Sequence, residues 1–258
     1  MEILVCIKQV PDDSVEISLN SETGKPALEE VTQVVNAFDT YALEMATRLK
    51  EKVGGEIVVV SIGDESVKNS LKNCLAVGGD KAFFVKDDNA EALDAVGVAK
   101  TLVKAKEEIE GKLGVKFDMV FCGKEATDYA TSQVGLMLAD ELKLPVVTNV
   151  VDVEIKDNLI DIKQEKDEGY TVIETTLPCV VTVQKPNYEP RYPTIKTKMQ
   201  ARKKPIDQLD TVSEAASEVE VIKVYEPVKR SAGVKIKAET VEEAVAQAMN
   251  MMVEAKVL

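Results

Sequence analysis

Short apolar runs and helix-spaced apolar stripes take turns along the first two-thirds of the chain. Ile3–Ile7, Glu56–Ile62, Ala82–Val85, Asp118–Cys122 and Pro145–Val150 are compact apolar runs that read as strands. Between them, Phe38–Lys52 carries Ala42, Met45, Ala46 and Leu49 on one stripe and predicts a helix. Glu65–Val77, Ala90–Ile109 and Thr131–Leu142 predict three more. Strand and helix alternating at this spacing imply βαβ units around a parallel sheet. Val150–Glu154, Leu159–Lys163, Tyr170–Thr176 and Cys179–Val183 then crowd together and predict an antiparallel extension. Its hairpins are expected near Asp157-Asn158 and Glu168-Gly169. Pro186, Pro190, Pro193 and Pro205 punctuate a loop without clear periodicity. Ile206–Lys237 reads as extended and polar, and Glu239–Val257 as a terminal helix. The expected fold is α/β, a doubly wound, mainly parallel, Rossmann-like sheet with an antiparallel extension and an extended C-terminal arm. The expected divisions are an α/β domain over 1–185, a basic loop over 186–205 and the arm over 206–258.

The 258 residues are 45% hydrophobic and 30% charged, enough to build a full core. The longest apolar runs are far too short to span a bilayer, and the chain opens on a strand-like run instead of a signal peptide. A cytoplasmic protein with no membrane insertion is the expectation. The net charge of −13 argues against nucleic acid as a partner. One segment runs the other way: Lys185, Arg191, Lys196, Lys198, Arg202, Lys203 and Lys204 face a single acid, Glu189. Such a segment steers an acidic partner or is simply a solvated loop.

The chain contains no histidine. That removes the side chain best placed for acid–base work at neutral pH, and with it Ser-His or Cys-His nucleophiles and His-ligated metals. Cys6, Cys74, Cys122 and Cys179 form no C-x-x-C pair and read as buried thiols, so no metal site is expected. Hard chemistry would have to come from a bound cofactor.

Ligands of open parallel sheets sit beyond the carboxyl ends of the strands. Those ends read Cys6-Ile7-Lys8-Gln9, Ser61-Ile62-Gly63-Asp64 and Gly123-Lys124-Glu125, the last running on to Gln133. Thr131 and Ser132 stand at the expected start of a helix, as phosphate-binding hydroxyls or as plain N-caps. Asp12, Asp13, Glu125 and Asp128 are acids or metal ligands in one reading and turn-forming carboxylates in the other; Asn36 reads first as a cap. Neither G-x-G-x-x-G nor a P-loop motif is present.

Several motifs converge. Leu4-Val5-Cys6-Ile7-Lys8-Gln9-Val10-Pro11-Asp12, Val35-Asn36-Ala37-Phe38-Asp39, Cys74–Asp80, Gly123–Gly135, Glu189-Pro190-Arg191-Tyr192, Met199–Lys204 and Ser231–Lys235 occur in order. Together they resemble the β subunit of electron-transfer flavoproteins along essentially the whole chain. At Tyr129-Ala130 the sequence departs from the Gly-Asp of electron-bifurcating members, while Gln9-Val10-Pro11-Asp12 is similar to theirs.

The resemblance implies an adenine-nucleotide pocket. It places Cys6, Asn36, Ser61, Gly63, Gly123, Asp128, Thr131, Ser132 and Gln133 in that pocket; Lys8 and Lys124 complete the expected cofactor-binding set. It implies FAD as the occupant, with AMP, as in simple members, as the alternative. Electrons would pass from NADH to ferredoxin and, through the FAD of an α subunit, to an acyl-CoA or hydroxy-acid dehydrogenase. The arm would pack on the α subunit. Arg191, Tyr192, Ile195 and Met199 would dock the dehydrogenase, with Ile195 in the place of an anchoring leucine. A nucleotide sensor on the same fold is a third reading.

Overall fold

The computed structural model describes residues 1–156, 159–213, 217–228 and 232–257. They divide into two compact units, Met1–Lys223 and Val224–Leu258.

The first unit is built on a nine-stranded sheet. In chain order its elements are β1 (Glu2–Cys6), β2 (Gln9–Pro11), β3 (Gln33–Val35), α1 (Ala37–Val53), β4 (Glu56–Gly63), α2 (Val67–Val77) and β5 (Lys81–Lys86). Next come α3 (Ala95–Leu113), β6 (Met119–Gly123), α4 (Val134–Leu142), β7 (Val146–Lys156), β8 (Leu159–Lys166), β9 (Gly169–Thr175), β10 (Cys179–Val183), α5 (Ile195–Lys203) and β11 (Asp207–Gln208). The sheet order is β11-β5-β4-β1-β6-β10-β7-β8-β9, and β2 and β3 form a separate antiparallel ribbon. All neighbours from β11 to β7 run parallel; β8 and β9 are antiparallel.

The strands' alternation decides what each face buries. Ile3, Val5, Ile57, Val59 and Phe121 pack with Leu43 and Leu49 of α1 and Leu71 of α2. Leu4, Val58, Val60 and Val120 pack with Leu102, Ala105 and Ile109 of α3 and Leu138 of α4. Central strands covered on both faces need apolar residues at every position, which is why they read as unbroken runs. Burying each such side chain contributes about 1.5–3 kcal/mol.

The structure corrects several expectations. Cys179–Val183 is not part of the antiparallel extension: β10 inserts in parallel between β6 and β7, buried at every residue. The helix expected from Ala90 is a 3-10 turn at Ala90–Ala92, and α3 starts only where Asp94 caps it by accepting from the Gly97 N–H at 2.8 Å. The helix expected from Thr131 starts at Val134, because Ala130 and Ser132 hold positive φ angles of 49° and 55° that no α-helix accommodates. The aperiodic basic loop contains α5, nucleated by a Thr194/Thr197 capping box after Pro193. The β8–β9 turn is Asp167-Glu168, one residue before the expected Glu168-Gly169, and Gly169 opens β9 opposite Lys166; Asp157-Asn158 falls outside the described residues.

In the second unit α6 (Val241–Glu254) is capped by Thr240, which accepts from the Glu243 N–H. Ser231 lies outside the described residues. Among the described residues, no helix is long and apolar enough to cross a membrane.

Candidate functional site

The chain winds from β1 outward through β4 to β5, then returns to the other side of β1 for β6. The strand order therefore reverses between β1 and β6, and the crevice beyond their carboxyl ends is where such a sheet admits a ligand. Cys6 and Cys122, the last and next-to-last residues of these strands, lie side by side in the register set by Val5 opposite Phe121. The Cys122 thiol is pushed well up by its hydrogen bond with Cys6 and by burial, so it stays protonated. Both cysteines are free and buried.

Asp39, in the first turn of α1, holds the two strand ends together. Its carboxylate accepts the backbone N–H of Lys8 at 2.7 Å and of Gly123 at 3.0 Å. Burial pushes its pKa up to about 7, against those hydrogen bonds and the charge of Lys8. Gly123 is required for this approach: a Cβ there would lie 2.4 Å from Asp39 Oδ1 and 2.8 Å from the Phe38 carbonyl carbon. Asp39 was not among the expected site residues; two acceptors in a first helical turn look like ordinary dipole compensation in sequence.

Asn36 ties down the loop between β6 and α4. Its backbone N–H donates to the Lys8 carbonyl at 2.9 Å, a geometry set by the β2–β3 ribbon. Its side-chain amide donates to the Glu125 carbonyl at 2.8 Å and accepts the Thr127 N–H at 3.1 Å. Both ends of the amide are thus taken by the loop: Asn36 stands at the N-cap position of α1 as expected, but its side chain makes no cap hydrogen bond to the helix and shapes the crevice. Further along, Ser132 Oγ donates to Glu125 Oε2 at 2.7 Å, which gives Glu125 a place in the loop's architecture.

Two cations stand at the crevice. Lys8 Nζ is 2.5 Å from Asp128 Oδ2 and 4.6 Å from the centre of the Tyr129 ring. Lys124 Nζ lies 3.9 Å from Glu125 Oε1. Thr131 and Gln133 are exposed, and Gln133, at the N-cap position of α4, makes no side-chain cap, so the first-turn N–H groups carry the partial positive charge of a helix start. At the end of β4, the Ser61 hydroxyl is buried without a hydrogen-bond partner, and a Cβ on Gly63 would meet Val67 Cγ1 at 2.5 Å. An orphaned buried hydroxyl, an uncapped helix start and two lysines beyond a switch point suit a phosphate-bearing nucleotide. The expected set therefore falls at the ends of β1, β4 and β6, in the loop before α4 and, for Asn36, at the start of α1; side-chain contacts join Lys8 to Asp128, Asn36 to the loop, and Lys124 and Ser132 to Glu125.

The sequence model of the electron transfer flavoprotein domain matches residues 27–214. The electron transfer flavoprotein β subunit of Megasphaera elsdenii is 34% identical, with all of both chains covered. The chain belongs to the electron transfer flavoprotein family. The β subunit of the mouse is 35% identical over 96% of each chain. Subunit CarD of the caffeyl-CoA reductase-Etf complex of Acetobacterium woodii is 34% identical over 94% of each. The chain is accordingly of the β-subunit kind, with the electron-transfer role that this family name carries.

On this family background the basic segment acquires its shape. Tyr192, Ile195 and Met199 are 85%, 83% and 59% exposed, spaced along one short stretch at the start of α5. Arg191 is different: its guanidinium is bound within the chain to Glu44 and Glu51 of α1. Burial raises the Glu44 pKa, but hydrogen bonds from Arg191 and Arg48 outweigh it and hold the carboxyl below its ordinary value.

Proposed function

We propose that this chain holds FAD in the crevice between β1 and β6 and serves as the β subunit of a heterodimeric flavoprotein. Electrons would arrive from NADH and leave to ferredoxin and, through the α-subunit FAD, to an acyl-CoA or hydroxy-acid dehydrogenase. The observation that carries the reading is the conjunction at the switch point of the uncapped α4, the unpartnered Ser61 hydroxyl and the lysines at positions 8 and 124. Bound FAD would supply hydride acceptance and one-electron release, chemistry that a chain without histidine lacks. The residues supply placement. Thr131, Ser132 and the α4 N–H groups would bind phosphate, Ser61 and Gly63 would line the neighbouring wall, and Asp39 and Asn36 would keep the crevice in shape. Tyr192, Ile195 and Met199 would dock the dehydrogenase.

A second reading is structural AMP without bifurcation. It is favoured by the pairing of Lys8 with Asp128 and its contact with the Tyr129 ring, which leave it less available to a long diphosphate. The test is to denature the purified heterodimer and identify the released nucleotides by mass. About two FAD per heterodimer are expected; AMP with one flavin selects the second reading, and neither nucleotide sinks both. Replacing Thr131 and Ser132 by Ala should lower the retained nucleotide, and full retention would remove that loop from the cradle.

A further inference from the structure

Arg191 opens the exposed segment, yet four of the five N–H donors of its guanidinium are engaged within the chain. Nε and Nη2 donate to the Glu44 carboxylate at 2.8 and 3.2 Å, and Nη1 and Nη2 donate to Glu51 at 2.6 and 3.2 Å. Its backbone N–H adds a bond to Glu44 Oε2 at 3.1 Å. Glu44 is the fixed point: its side chain is only 3% exposed, and it also accepts from Arg48 Nε at 2.7 Å. Arg48 in turn stacks on the Tyr188 ring at 3.8 Å, so the chain just before Arg191 is gripped as well. A planar fork that satisfies two carboxylates at once is a job lysine cannot do.

The other end of the segment is held too. Lys72 of α2 donates to the carbonyls of Ala201 at 3.2 Å, of Arg202 at 3.4 Å and of Lys204, acceptors at the carboxyl end of α5. A cation at that end also favours the helix dipole. Lys204 Nζ donates to the Gly79 carbonyl at 2.8 Å, and Ala201 is buried beneath.

We propose that Arg191 is a positioning residue, which with Lys72 suspends the stretch between them so that Tyr192, Ile195 and Met199 are presented to the dehydrogenase already in place. This rests on the docking reading above. A segment fixed before encounter avoids the ordering cost that a loose one meets on binding. Loosening the clamp should therefore weaken recognition while leaving the electron-transfer step within the assembled complex untouched.

The test uses the intact heterodimer as the varied substrate of an acyl-CoA dehydrogenase from the same source. Arg191→Met should raise KM for the heterodimer on the order of tenfold with kcat unchanged. Lys72→Met should raise it less. Arg191→Lys should recover only part of the loss, since an ammonium cannot span both carboxylates. Amide exchange over 192–203 should quicken in Arg191→Met while nucleotide content stays at the parent level. Should Arg191→Met fail to fold, Glu51→Gln removes the outer half of the clamp only, and a KM increase of about two- to threefold is expected. An unchanged KM in these variants, beside a raised KM in Ile195→Ala, overturns the positioning role and leaves docking standing. An unchanged KM in Ile195→Ala overturns the docking reading itself.

Discussion

A buried carboxylate is costly unless it is protonated or fully hydrogen-bonded, and Asp39 is poised between the two. Its pKa is raised from 3.8 in the unfolded chain to about 7 in the fold, chiefly by burial. Between those values the folded protein holds a proton that the unfolded chain has lost, so stability falls as pH rises through that window and levels off above it. Asp39→Asn should abolish this slope in denaturant melts taken from pH 4 to pH 8. The variant should nonetheless be less stable by about 1–3 kcal/mol, because an amide offers one acceptor oxygen where two backbone N–H groups need two. An unaltered slope would assign it to another group. Gly123→Ala attacks the same junction by volume: its Cβ would press on Asp39 and on the backbone at Phe38. Overpacking of this kind costs about 1–3 kcal/mol, and nucleotide retention should drop with stability. Retention at the parent level would separate the junction from the crevice. Of these residues the sequence exposed Gly123 and Asn36 through their place at strand and helix ends. Asp39 stayed hidden, since its two partners lie 31 and 84 residues away.

At the scale of elements, legibility followed burial. α1 and β4 were legible because burial on one stripe, or on both faces, imposes a period on the sequence. α5 buries only Ala201, so it has no stripe to read; its single local sign is a Thr at each of the two capping-box positions after Pro193. β10 was legible as a strand but not as a parallel one. Cys179–Val183 is apolar or buried at each position, whereas β8 alternates, and that contrast separates a strand covered on both faces from one with a face open to solvent. The link from α3 into β6 rests on one buried acid. Glu110 accepts from Lys106 at 2.6 Å, Lys116 at 2.7 Å and the Phe117 N–H at 3.0 Å. Glu110→Ala should cost about 1–3 kcal/mol by stranding a buried N–H, read as a lower midpoint in thermal or urea unfolding. A midpoint equal to the parent's would mean that the turn rearranges freely.

At the scale of the molecule, both apolar cores draw all their residues from Met1–Lys223. On α6, Val241, Val245, Met249 and Met252 recur at helical spacing and are exposed, and no residue of that helix is buried. Among the described residues of Val224–Leu258 nothing buries this stripe, and an apolar helix face is stabilised by whatever covers it; the α subunit is the proposed occupant. Ending the chain after Lys223 should therefore leave the unfolding midpoint of the isolated subunit within a few degrees of the parent while abolishing co-purification with the α subunit. Retained co-purification would place the heterodimer contact elsewhere.

By itself the sequence determined the alternation of strands and helices, the lack of any histidine-based chemistry and the family likeness, because periodicity and residue type are local properties. Only the tertiary structure decided that β10 enters the middle of the sheet, that Asp39 joins β1 to β6, and that Arg191 turns inward to α1. Each of these depends on which distant segments meet, and pairing across scores of residues leaves no periodic mark on either partner alone.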